Sequence, residues 1–365
     1  MSQPAFHGSY APEDVTILLT RVSLAPTPTA EKERRIQSGE RHYSEMIGEE
    51  HVPSPTYLRA FHESVERNGG RLARAILGLA AHVAAERVGR LDVVSLARAG
   101  TPIGVLLSRA LRTFYGREVV HSSVSIIRDR GLDQRALSKV LSAPGARAEN
   151  VVFLDGWTGK GVIAEELAAA LADASHAWPR LDPRLYVVSD LCGAADVAAS
   201  TDDWVIPSSL LGATVSGLVS RSILNTAVEA AGGFHGCVYY EALLEADLSR
   251  AFVDRIAAEM TAFWDAGFRP EPLPAHDRPQ AAARMADLTK ILMATHRIVS
   301  RNHVKPGIGE ATRVLLRREP GRLIVRDRRS PEVAHALTLA ADKGVDVDED
   351  PMLGLEAVAL IAERP

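Results

Sequence analysis

Between Pro55 and Arg87 apolar residues recur every three or four positions, with Tyr57, Phe61 and Val65 followed by Leu72, Ile76, Leu79 and Val83. That period puts them on one face of a helix, and Gly69-Gly70 predicts a break into two helices. The period then changes. Leu91–Ala97 reads as a short buried strand, Val119–Ile127 alternates like a strand, Val151–Leu154 is wholly apolar, and Leu185–Asp190 repeats that run with a polar end. Helical runs, Ile103–Phe114 and Val162–Leu171, fall between them. Apolar strands alternating with helices predict an α/β fold with a parallel sheet covered on both faces.

The flanks are less regular. Residues 1–56 are rich in Pro, Thr and charge; Val15–Leu19 reads as a strand or entry arm, and the rest as a segment that wraps or covers a site. Residues 200–265 hold Pro207-Ser208-Ser209 and the cluster Gly232-Gly233-Phe234-His235-Gly236-Cys237. The Pro-rich stretch Phe268–Pro279 predicts an interdomain linker. Beyond it Met285–His296 and Thr312–Arg318 read as helices and Leu323–Val325 as a strand, so the predicted domains are residues 1–283 and 284–365.

With 46% hydrophobic and 24% charged residues the chain has the balance of a folded protein. No apolar run reaches the ~18 residues needed to span a bilayer, so no membrane partner is expected. The N-terminus lacks a secretory pattern, and Cys192 and Cys237 form no CxxC pair, which together predict a reducing, cytoplasmic setting. His42, His51 and His62 lack the spacing of a zinc site, and no motif fixes an oligomeric state. The net charge of -4 hides a contrast: residues 296–329 hold ten Lys or Arg against three Asp or Glu, whereas residues 330–365 hold two against eight. The basic stretch suits a phosphate backbone.

Ligands of parallel α/β sheets bind beyond the carboxyl ends of the strands, where two unusual loops fall. In Asp155-Gly156-Trp157-Thr158-Gly159-Lys160-Gly161, three glycines permit a tight turn with inward N–H groups at a helix start, an anion cradle to which Thr158 and Lys160 add contacts and Asp155 adds a sugar-hydroxyl acceptor. Gly156 and Gly159 are too close, and Gly161 follows Lys160, so this is not a Walker A loop. Arg98-Ala99-Gly100-Thr101-Pro102 offers a second cation and N–H cluster.

The first loop with its strand resembles the phosphoribosyl pyrophosphate motif of type I phosphoribosyltransferases; Asp155 matches the first acidic position, Gly156 replaces the second, and the loop is about two residues short. The second resembles the pyrophosphate loop of that superfamily, and His121–Gly131 falls where its flap would close. The resemblance implies a type I phosphoribosyltransferase-like sheet and transfer from phosphoribosyl pyrophosphate with Mg2+. Arg98 would neutralise pyrophosphate while Arg128 and Arg130 close over it, Ala99, Gly100, Thr101, Gly156, Thr158, Gly159, Lys160 and Gly161 would bind phosphate, and Asp155 and Asp190 would face ribose and acceptor. Residues 1–285, with Ser125–Gly131 and Phe234-His235-Gly236, look like the divergent phosphoribosyltransferase-like family of bacterial tellurium-resistance and stress gene clusters, also described as cysteine proteases of the StiP type. That setting implies a phosphorylated ribose metabolite used to make or modify a nucleoside-like metabolite or RNA-linked substrate, with ATP-grasp and phosphatase-like proteins as pathway partners.

Two alternatives stand beside transfer. Cys237 lies two residues from His235, a spacing that lets an imidazole activate a thiolate, and Cys192 follows Asp190 as a second cysteine without an activating neighbour. A non-catalytic RNA-binding factor with a nucleotide-sensing domain is the other. Lys305-Pro306-Gly307-Ile308-Gly309-Glu310-Ala311-Thr312-Arg313 joins a glycine turn to a basic helix start. It resembles the RNA-contacting segment of the Pelota and L7Ae-like superfamily, with Gly307, Glu310, Thr312 and Arg313 in register. That implies an α/β/α sandwich, closed by Ala336–Val345 and Ala357–Ala362, which takes structured RNA through Lys305, Gly307, Glu310, Thr312 and Arg313.

Overall fold

The computed structural model describes residues 6–226, 228 and 233–361; Gly232 of the glycine cluster and Ala362 of the closing segment lie outside them. Its main sheet contains strands β1 (Thr16–Leu18), β2 (Leu91–Ala97), β3 (Val119–Ile127), β4 (Val151–Thr158), β5 (Leu185–Asp190) and β6 (Val197–Ser200), all parallel in the order β1-β3-β2-β4-β5-β6. A short antiparallel strand, Gly131–Leu132, folds back on β3. The chain steps to one side of β2 for β3 and to the other for β4, so the order reverses between β2 and β4. Such a switch point leaves a crevice at the carboxyl ends of the two strands. Val93, Val94, Val152, Phe153, Leu154 and Val187 are fully buried, as a two-sided cover requires.

The first long helix, α1, runs unbroken over Pro55–Glu86, with Ser54 Oγ accepting from Tyr57 N and Pro55 in the first turn. The expected break at Gly69-Gly70 does not occur. A Cβ at Gly69 would lie 3.3 Å from Ile256 and one at Gly70 3.4 Å from Phe263; the glycines admit a neighbouring helix, Ser249–Asp265, that the sequence reading did not anticipate. Helix α2 (Gly100–Tyr115) and helix α3 (Val162–Ala174) follow β2 and β4. The N-terminal arm is built into the sheet as edge strand β1, with Arg109 donating to both carboxylate oxygens of Asp14 at 2.7 and 2.6 Å.

The C-terminal part has its own sheet of β7 (Val304–Pro306), β8 (Pro320–Val325), β9 (Asp346–Glu349) and β10 (Ala357–Ile361), in the order β7-β10-β8-β9. Helix α4 (Arg278–Thr295) leads into it, beginning inside the segment read as linker; helix α5 (Ile308–Arg317) and helix α6 (Ala334–Asp342) complete it. The two parts share apolar packing, for Leu191 and Cys192 join Met285, Leu292, Val304 and Val358 in one cluster. No helix among the described residues is long and apolar enough to cross a membrane.

Candidate active site and interdomain cleft

The crevice at the switch point opens into a cleft of about 1810 Å³ between the two parts of the chain. Its walls come from residues 96–99 and 155–164, from the arm around residues 26–54, from the turn at Arg128 and from Lys305, Glu310 and Arg313 of the C-terminal part.

The two expected phosphate loops do meet: the start of α2 packs on the end of β4, with Gly100 against Leu154 O and Gly156 against Ala99 O. Their side chains are used differently from the sequence expectation. Strand β4 continues through Thr158, paired with Asp190, so the turn is only Gly159–Gly161 and Thr158 Oγ1 is spent accepting from Gly161 N at 3.1 Å. Gly159 lies under the C-terminal part, where a Cβ would stand 3.0 Å from Pro306 O. The loop is therefore a shorter turn than expected, one side of it packed under the C-terminal part and the other lining the cleft. Thr101 is fully buried and shares a 2.7 Å hydrogen bond with Ser123. Arg98 is 9% exposed, donates to Val219 O at 2.7 Å and pairs with Glu50, so its charge braces the cleft wall. Arg128 stays at the rim, its backbone N–H donating to Tyr43 Oη at 2.7 Å. Asp155 keeps a carboxylate on the cleft, pushed up to about 7 by burial against the opposing pull of the Gly156 N–H. Lys160 donates to Arg301 O at 2.6 Å and is pushed down to about 7 by burial and by Lys305.

Asp190, expected to face an acceptor, is fully buried at the end of β5. Its two oxygens accept from Cys192 N and Ala195 N, each at 2.9 Å, and one faces His276 Nε2 at 3.1 Å. The Cys192 thiol lies 3.6 Å from Thr158 Oγ1, and burial and the Asp190 charge push it up to about 12. A cysteine, a carboxylate and an imidazole thus converge beside the turn that floors the cleft. His276 sits in the stretch read as a linker, 86 positions from Asp190, and no local spacing announces it.

The other cysteine fares differently. Cys237 is fully buried in the core, and burial pushes its thiol up to about 12. Its backbone pairs with Arg21, while the His235 ring turns to Ser125 Oγ at 2.7 Å. The spacing of two residues thus leaves the Cys237 thiol in the core and the His235 ring on Ser125 of β3.

In the C-terminal part Gly307 adopts φ 88°, and a Cβ there would meet Leu191 at 2.5 Å; only glycine suits both demands. Thr312 is fully buried, donating to Ile308 O and meeting His335 Nε2, both at 2.7 Å, so its expected RNA contact is replaced by a core role. Glu310 pairs with Arg313 at 2.9 Å. Burial pushes its carboxyl up, but Arg313 and Lys305 outweigh that and hold it below the ordinary range. The Arg313 guanidinium stands 5.8 Å from the Trp157 ring centre. Asp203, unforeseen in the sequence, ties the parts together by accepting from Ile308 N at 2.9 Å, Glu356 N at 2.8 Å and Ala357 N at 3.4 Å.

Residues 8–257 match the family model described as tellurite-like stress resistance cysteine protease StiP, and residues 283–363 match the PELOTA RNA binding domain. The protein called cysteine protease StiP from Acinetobacter baylyi is 38% identical, over 98% of this chain and 94% of its own. The chain belongs to the StiP family. Among solved structures, hypoxanthine phosphoribosyltransferase of Trypanosoma cruzi overlaps 36% of this chain and 77% of its own at 14% identity and a TM-score of 0.26. An aromatic aminotransferase from Pyrococcus horikoshii overlaps 79% and 76% at 13% identity and 0.21. Overlaps that slight carry no argument. StiP membership along nearly the whole chain overturns the expected phosphoribosyl transfer, and with it the pentosyltransferase roles given to Arg98, Asp155, Arg128 and Asp190. The C-terminal part is a Pelota-like domain, as its motif implied.

Proposed function

We propose that this StiP-family chain is a cysteine-dependent peptidase with Cys192 as its nucleophile and an RNA partner for its Pelota-like domain. The relative's name, cysteine protease, supports the reaction class. The observation that carries the assignment to Cys192 is the Asp190 carboxylate, which holds the Cys192 amide at 2.9 Å and the His276 imidazole at 3.1 Å.

In this reading His276 takes the thiol proton as Sγ attacks the carbonyl carbon of a peptide bond. The C–N bond breaks, the amine leaves with the proton from His276, and water then cleaves the thioester to free Cys192. Asp190 is a positioning residue that orients the ring and favours the imidazolium. A thiol held near 12 is no standing thiolate, so proton transfer accompanies attack. Cys237, sealed in the core, takes no part.

The test is hydrolysis of a mixed fluorogenic peptide library by wild type, Cys192→Ala and Cys237→Ala, with folding checked by circular dichroism. The expected result is loss of at least about a hundredfold for Cys192→Ala and near wild-type rates for Cys237→Ala. Full activity of folded Cys192→Ala would exclude the assignment.

A further inference from the structure

The basic stretch of the Pelota-like domain is largely neutralised where it folds. Arg322 pairs with Asp348 at 2.7 Å, Arg326 with Glu356, Arg328 with Glu349 at 3.7 Å, and Arg329 with Asp327 at 3.3 Å. Arg313 is matched by Glu310, and Arg318 by Glu33 of the N-terminal arm at 2.8 Å. The contrast between a basic first half and an acidic second half is thus mostly an internal set of ion pairs, and these arginines do not form a free basic face.

Lys305 behaves otherwise. It points into the cleft, and among the described residues neither it nor Lys160 has an ion-pair partner; the Lys160 ammonium donates only to the Arg301 carbonyl. Burial depresses both lysines, and each faces further positive charge: Lys305 and Arg301 at Lys160, Arg318 and Arg313 at Lys305, Arg128 at both, with Glu310 as the opposing anion. Two half-buried ammonium groups brought together in this way repel each other unless a proton leaves or an anion arrives. One lysine comes from each domain, so the excess charge exists only in the assembled cleft.

We propose that a phosphate of bound RNA sits between Lys160 and Lys305, so that RNA enters the interdomain cleft and is gripped by both domains together. The inference rests on the RNA reading of the C-terminal domain and adds where the RNA lies. A cleft of about 1810 Å³ exceeds the roughly 300–1,000 Å³ of small-molecule pockets, which favours a polymer segment. Arg313, whose guanidinium stands over the Trp157 ring, and Trp157 both line the cleft and together offer a cation and a ring against which an unstacked base can rest. This location also makes RNA a neighbour of the turn at Gly159–Gly161 and of Cys192 behind it, whose thiol would lie 3.7 Å from a Cβ at Gly161.

The test is fluorescence anisotropy of a labelled RNA hairpin with a single-stranded tail, titrated at several salt concentrations. Wild type is compared with Lys160→Gln, Lys305→Gln and, as an outer-surface control, Arg328→Gln with Arg329→Gln. Each cleft substitution is expected to weaken binding about tenfold and to lower the salt slope by about one counterion, with the control pair changing affinity by less than about twofold. RNA binding by wild type that is untouched by Lys160→Gln overturns the shared site while leaving the RNA reading in place. Absence of binding by folded wild type removes the RNA reading and the shared site with it.

Discussion

Replacing Asp203 by alanine should loosen the two domains from each other. Its carboxylate accepts three backbone N–H groups of the Pelota-like domain, from Ile308 at the start of α5 and from Glu356 and Ala357 at the start of β10. A charge-assisted hydrogen bond contributes about 1.5–3 kcal/mol, and an orphaned buried donor costs about 1–3 kcal/mol. The third bond is long, and water reaches part of the site when the side chain is cut back, so a net loss of about 2–4 kcal/mol follows. Burial pushes the Asp203 carboxyl up to about 6 despite these donors; the folded protein therefore keeps a proton that the unfolded chain releases at lower pH. Stability from this group is greatest below the unfolded value and declines as pH rises through about 6. Urea denaturation of wild type and Asp203→Ala at pH 5 and pH 8, with chymotrypsin cleavage after Phe268 as a probe of docking, measures both effects. Equal midpoints and equal cleavage rates would refute the anchoring role.

Two further outcomes follow from the same geometry. The Asp155 carboxyl is held at about 7 by burial, so wild-type stability relative to Asp155→Asn should fall by about 2–4 kcal/mol between pH 4 and pH 8; parallel pH profiles in thermal unfolding would contradict this. His276→Ala should lower peptidase kcat by about a hundredfold or more and change its pH profile, whereas a purely structural histidine would leave the profile of the residual activity unchanged.

Much of the sheet was legible because buried parallel strands write themselves as apolar runs. Leu91–Ala97 and Leu185–Asp190 coincide with strands, and Val119–Ile127 was readable to its last residue. The ends of strands were harder. Nothing in Trp157-Thr158 says that pairing with Ser189 and Asp190 prolongs β4, and this extension turned an expected seven-residue loop into a short turn. Gly69-Gly70 looked like a break because the helix that exploits their smoothness, Ser249–Asp265, is remote in sequence. The Pelota-like segment was recognisable by its resemblance to a known family's segment, but Thr312 and Gly307 face inward for reasons set by His335 and Leu191. The candidate centre was least legible: Cys192 and Asp190 were visible as neighbours, whereas His276 reaches them from a proline-rich stretch that composition alone marks as a connector.

The most direct test of the account is to trap the reacting cysteine. Incubation of the folded wild-type chain with a peptidyl acyloxymethyl ketone, followed by peptide mapping, should place the adduct on Cys192 at a rate that falls sharply in His276→Ala, with Cys237 unmodified. An adduct on Cys237 alone, or no adduct in a preparation that cleaves peptides, would contradict it.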